Sequence, residues 1–109
     1  MNTTQKIRYI ANHYGFENQS RQLMEECGEL AQAANKMWRA TKEFVCGDGK
    51  STEVISAENN LVEEMADVWV MIWQLQELLG ISNKKLSDTM DIKLDREIDR
   101  IKKEQEKSV

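Results

Sequence analysis

Residues 20–42 read SRQLMEECGELAQAANKMWRATK, and this stretch decides the fold. Leu23, Cys27, Leu30, Ala34, Met37 and Trp38 recur at helical spacing, so a long amphipathic helix is predicted from near Asn18 or Ser20 to about Lys42. Within it lies Leu23-Met24-Glu25-Glu26-Cys27-Gly28-Glu29, and the same pattern returns 38 positions later as Leu61-Val62-Glu63-Glu64-Met65-Ala66-Asp67. The second copy belongs to another predicted helix, beginning between Ser56 and Asn60, ending at Gly80, and burying Leu61, Met65, Val68, Ile72, Leu75 and Leu79.

Working outward, Thr3 or Thr4 is placed to cap a short first helix that carries Ile7, Ile10, Ala11 and Tyr14 and stops at Gly15. Ser82 is placed to cap a last helix with Leu86, Met90, Leu94, Ile98 and Ile101 on one side, fraying into KKEQEKSV at 102–109. The stretch CGDGKST, Cys46 to Thr52, reads as the loop joining helices two and three. Its GKST is not a phosphate loop, because the first glycine of that motif falls on Phe44 and no apolar strand precedes it. The chain has 109 residues, no proline and five glycines, so few positions force a helix to end. The expectation is one all-α domain over 1–109, a four-helix bundle.

The net charge of −4 argues against a nucleic-acid groove and requires that a phosphorylated substrate be met through a cation. No apolar run reaches the roughly 18 residues of a membrane span, VWVMIW at 68–73 being the longest candidate. The polar start MNTTQKIRYI and the unpaired spacing of Cys27 and Cys46 point to a reduced, cytoplasmic protein.

The duplicated acids carry the chemistry. Stepping about 100° per residue from each leucine puts Glu26 and Glu64 near about 300°, inside the buried arc, and Glu29 and Asp67 near about 240°. Antiparallel packing brings the four carboxylates together, with small Gly28 and Ala66 letting the helices approach beside them. At about 4 Å each like-charged pair repels by roughly 4 kcal/mol at an effective dielectric of about 20, so protonation or a cation is required. An all-oxygen set suits magnesium, manganese or calcium. A di-iron centre is disfavoured, since its Glu-x-x-His pairs are missing and the only histidine, His13, lies in helix one.

Glu25 and Glu63 fall on the outer face, where they read as solvated acids that at most support the ligands from behind. Lys93, Arg96 and Arg100 line one flank of the last helix as candidate phosphate holders, although pairing with Glu97 and Glu104 also accounts for Arg100. Lys36, two turns beyond Glu29, is a weaker candidate. Trp38, Trp69 and Trp73 read as core or subunit contacts, and the six methionines as core filler. His13, Asn18 and Gln19 are the guesses for a base pocket.

Taken together, Glu25-Glu26-x-x-Glu29 and Glu64-x-x-Asp67 resemble the EExxE…ExxD signature of the MazG-like all-α nucleoside triphosphate pyrophosphohydrolases. The similarity runs from YGFENQSRQLMEECGELAQA through NLVEEMADVWVMIWQLQELLGI to KLDREIDR; the interval between the motifs is longer than in the family and contains GDGKST. The resemblance implies a bundle of the all-α NTP pyrophosphatase type assembled as a homodimer or homotetramer. It implies a magnesium-dependent enzyme, with manganese as a substitute, that cleaves between the α and β phosphates. Glu26, Glu29, Glu64 and Asp67 would hold the metals, Glu26 or Glu29 would take the proton of the attacking water, and Lys93 with Arg96 or Arg100 would steady the departing pyrophosphate. Phosphoribosyl-ATP pyrophosphohydrolase is a rival with the same metal site. A non-enzymatic helical interaction module is a rival from another class.

Overall fold

The computed structural model describes residues 1–44 and 52–108, with the side chains of all of these but 43 and 44. Three helices account for nearly all of them: α1 over Thr3–Phe44, α2 over Thr52–Leu79 and α3 over Asn83–Lys107, with no strand among the described residues. The chain is therefore all-α. None of these helices is long and apolar enough to cross a membrane.

The break expected after Tyr14 is a kink inside α1 and not a loop. Gly15 sits at φ 85, ψ 170, a region essentially closed to side chains with a Cβ, and helical geometry resumes at once on its far side. The Asn18 Nδ2 donates to the Tyr14 carbonyl at 2.9 Å, satisfying a backbone acceptor just before the kink. At the start of α1 the cap is Asn2 and neither Thr3 nor Thr4. The Asn2 Oδ1 accepts from the Gln5 N–H and the Gln5 Oε1 accepts from the Asn2 N–H, both at 2.8 Å, a reciprocal capping box.

Met1–Leu79 forms one compact unit, an antiparallel pair of α1 and α2. Its buried apolar residues are Ile7, Ala11, Ala33, Ala40, Val54, Val68 and Met71. On α1 the seam runs Gln19, Glu26, Ala33, Ala40 at seven-residue intervals, and on α2 it runs through Val54, Leu61 and Val68 with Glu64 and Met71 alongside. This seam lies about 60° round from the predicted stripe, toward the acids. Cys27, Ala34, Met65, Ile72 and Leu79, expected in the core, are exposed, as are Trp38 and Trp69. The reason is the breadth of the apolar arc on both helices, of which the α1–α2 contact uses one edge. Gly28 and Ala66 are also exposed, so they do not govern the helix approach.

Helix α2 starts earlier than predicted, at Thr52, with Glu53 complementing the dipole in its first turn and Val54 packed into the core. The loop predicted over Cys46 to Thr52 otherwise lies outside the described residues. Gly80, at φ 68, follows the last residue of α2 in the left-handed conformation expected of a helix stop. The second unit, Gly80–Val109, contains α3. Ser82 caps it as predicted, its hydroxyl accepting from the Lys85 N–H at 3.0 Å. The charged tail does not fray at 102: Lys, Glu and Gln are strong helix formers, and the helix continues to Lys107. Leu86, Met90, Leu94, Ile98 and Ile101 are all exposed on α3.

Candidate metal centre

Glu26 occupies a seam position of α1, one heptad after buried Gln19 and one before buried Ala33. Glu64 stands in the matching place on α2, one heptad before buried Met71. Helical periodicity thus puts both carboxylates where an apolar side chain would ordinarily pack. Asp67 stands at the exposed edge of the same seam, one turn after Glu64. Glu26, Glu64 and Asp67 each offer an oxygen within 4.8 Å of the others. Glu29, the fourth expected ligand, is exposed on the flank one turn beyond Glu26 and stands outside this group.

The local hydrogen bonding leaves the cluster short of positive partners. Gln22 Nε2 donates to Glu26 Oε1 at 2.8 Å. Glu26 Oε2 and Glu64 Oε2 are buried and have no hydrogen-bond partner. A buried carboxylate oxygen without a donor is costly, and two full charges at 4.8 Å add about 3 kcal/mol of repulsion at an effective dielectric of about 20. Partial desolvation, the Glu26 charge and a hydrogen bond with Glu26 push Asp67 above its ordinary pKa of 3.8. The donor set is entirely oxygen, two of its atoms are orphaned, and all three side chains come within reach of one centre. These residues fit a hard divalent cation.

The remaining predicted positions are scattered. Glu25 and Glu63 are exposed on the outer face. Lys36 is exposed and lines a recess of about 650 Å³ with Ala40, Thr52, Glu53, Ser56, Ala57 and Asn60. Lys93, Arg96 and Arg100 are exposed on α3, where Arg100 Nη1 donates to Glu97 Oε2 at 3.3 Å. Asn18 lines a second recess of about 540 Å³ together with Tyr14, Gln19 and Gln22. His13 is exposed, its ring edge-on to Tyr14 at 4.8 Å between centroids. The Gln19 side chain is turned inward, its Nε2 donating to Gln74 Oε1 at 2.6 Å. Sequence reasoning missed Gln22, although its spacing of four residues from Glu26 places the two on one ridge. It also missed Gln74, whose signal was an amide flanked by Trp73 and Leu75, one heptad after Asp67.

A family model described as dATP/dGTP pyrophosphohydrolase matches residues 48–108, a span that holds Glu64, Asp67 and the basic positions of α3. Neither a curated protein nor a solved structure was found to match. The MazG-like family generally uses a divalent metal, in keeping with the acidic cluster. With more than half of the chain matched, and an all-helical fold that brings three of the signature acids together, the chain belongs to the dATP/dGTP pyrophosphohydrolase family of MazG-like nucleoside triphosphate pyrophosphohydrolases.

Proposed function

We propose that this chain is a magnesium-dependent nucleoside triphosphate pyrophosphohydrolase that cleaves between the α and β phosphates, releasing a nucleoside monophosphate and pyrophosphate. The observation that carries this reading is the pair of buried carboxylate oxygens, Glu26 Oε2 and Glu64 Oε2, that no hydrogen-bond donor reaches. Glu26, Glu64 and Asp67 would hold the ion, with Glu29 joining them from the flank. Magnesium, or manganese in its place, supplies charge neutralisation and Lewis-acid polarisation of the phosphates when bound.

The chain's own groups have distinct parts. A spare carboxylate oxygen of Glu26 or Glu29 accepts the proton of the water that attacks the α-phosphorus. Gln22 orients Glu26 through its amide donation. Lys93, Arg96 and Arg100 on α3, with Lys36 on α1, are the cations suited to phosphate oxygens and to the charge of the departing pyrophosphate. Glu25 and Glu63 support the ligands from behind. The recess of Tyr14, Asn18 and Gln22 lies along the same ridge of α1 as Glu26 and suits the nucleoside end, an exposed ring beside two amides, with His13 next to it. The family's description points to deoxyadenosine and deoxyguanosine triphosphates as substrates.

A second copy covers the apolar surface that the α1–α2 pair leaves exposed. Ile55, Val62, Met65, Trp69, Ile72 and Leu79 are all exposed and follow a heptad-like spacing along α2, the pattern of a helix–helix seam. A homodimer or homotetramer follows.

The test incubates the protein with magnesium and a panel of ribo- and deoxyribonucleoside triphosphates plus phosphoribosyl-ATP, and follows pyrophosphate release by wild type and Glu64→Gln. Release by wild type alone is expected. Equal release by both proteins sinks the mechanism, and release from phosphoribosyl-ATP alone moves the assignment to that relative.

A further inference from the structure

Between the two apolar stretches of the α1–α2 seam sits a pair of neutral amides. Gln19 is 6% exposed and Gln74 2%, and they share a hydrogen bond of 2.6 Å across the helices. Gln74 Nε2 also donates to Met71 Sδ at 3.6 Å, so the pair is turned wholly into the core. Gln19 lies one heptad before Glu26, and Gln74 one heptad after Asp67. The amide rung is therefore the acidic rung repeated two helical turns along the same seam.

Burying two primary amides is unfavourable compared with apolar side chains of the same size, unless they meet. They meet in one register only. The rest of the seam is poor at setting register, since Ala11, Ala33, Ala40, Val54 and Val68 are small or short and accept one another after a slip. The Arg8–Glu77 ion pair, 2.9 Å long but largely solvated on the arginine side, adds little. The acidic centre, by contrast, tolerates no slip: one helical turn is about 5.4 Å, more than the spacing over which three carboxylates can share one ion. Repulsion among Glu26, Glu64 and Asp67 also presses the helices apart before any ion arrives.

We infer that Gln19 and Gln74 are positioning residues for the metal centre, a buried hydrogen-bonded pair that locks α1 against α2 in the one register where Glu26 meets Glu64 and Asp67. The metal part of this inference rests on the proposed function; the register part does not.

The test replaces both amides with the unbranched, similarly sized methionine, Gln19→Met with Gln74→Met, in the full chain. Three measurements are compared with wild type: the thermal midpoint in EDTA, the manganese dissociation constant by titration, and the indole resonances of the three tryptophans in a nitrogen–proton correlation spectrum. The double variant is expected to melt no lower in EDTA, to bind manganese at least ten-fold more weakly, and to show split or broadened indole signals from more than one register. Gln19→Met alone leaves the Gln74 carbonyl without its donor and is expected to melt lower than the double variant. A double variant with three sharp indole signals and wild-type manganese affinity overturns the inference. Should the double variant fail to fold, the single Gln74→Met is measured in its place, and wild-type manganese affinity with three sharp indole signals in that variant overturns the inference too. Wild type that binds no manganese, together with split signals in the double variant, removes the proposed function while upholding the register lock.

Discussion

Replacing Glu64 with glutamine is expected to stabilise the metal-free protein while abolishing its response to magnesium. Glu64 Oε2 is buried without a partner, and an oxygen of Glu64 lies within 4.8 Å of oxygens on both Glu26 and Asp67. Each contact between full charges at that distance is worth about 3 kcal/mol of repulsion at an effective dielectric of about 20. Exposure of Asp67 screens its share, so a net gain of about 2 kcal/mol in EDTA is a reasonable size, and it raises the midpoint by roughly 10 °C for a domain of this length. The new amide also brings a donor within reach of the Glu26 carboxylate. Wild type, in turn, gains about 2.7 kcal/mol when magnesium is at about a hundred times its dissociation constant, whereas the variant gains little. Melting curves at fixed protein concentration, in EDTA and across a magnesium titration, should therefore cross. A Glu64→Gln protein that melts below wild type in EDTA, or a wild-type midpoint indifferent to magnesium, refutes the idea that the acids are held under electrostatic stress.

Asp67 gives a pH-dependent counterpart. Its folded pKa lies above 3.8, so in EDTA ionisation costs the folded state stability as pH rises through the raised value, and the advantage of Asp67→Asn over wild type should widen across that window and then level off. Urea unfolding at a series of pH values checks this, and a difference that stays flat or narrows contradicts it. At Gly15, φ 85 and ψ 170 admit glycine almost alone, so Gly15→Ala should lower stability by about 1–3 kcal/mol in a denaturant titration. An unchanged midpoint there would mean the kink relaxes at no cost. Trp69, 70% exposed in the apolar stripe of α2, should be needed for assembly: Trp69→Glu is expected to keep the helical circular dichroism and shift the mass by light scattering to that of a monomer. Retention of the wild-type mass argues for a different contact surface.

Helix identity was legible because the signals were local. Gly15 and Gly80 mark a kink and a stop through φ values that side chains avoid, and Ser82 caps α3 where the sequence places it. The duplicated acids were legible for the same reason, since their azimuths follow from spacing within one helix. The misplaced stripe was not. Periodicity defines an apolar arc, and where that arc is broad it does not say which edge meets the neighbour; Trp38 and Cys27 fell on one side and Glu26 on the other. The sequence repeat also suggested a symmetry that Glu29 does not follow, because Asp67 joins the cluster and Glu29 stays on the flank. The Gln19–Gln74 contact joins residues 55 positions apart, and only the register between helices creates it. Asn2 in place of Thr3 or Thr4 is a smaller miss: several good capping residues stood side by side, and the reach of Gln5 back to Asn2 decided among them.

Because Glu26 occupies a seam position whose heptad neighbours include Ala33 and Ala40, the shortest mutational route to a hardier protein runs straight through its chemistry. A library sorted only for heat resistance should enrich aliphatic residues at 26 and 64 and return inert helical hairpins. Any engineering of this scaffold therefore has to select for ion binding and for endurance together, since survival alone rewards the loss of the site.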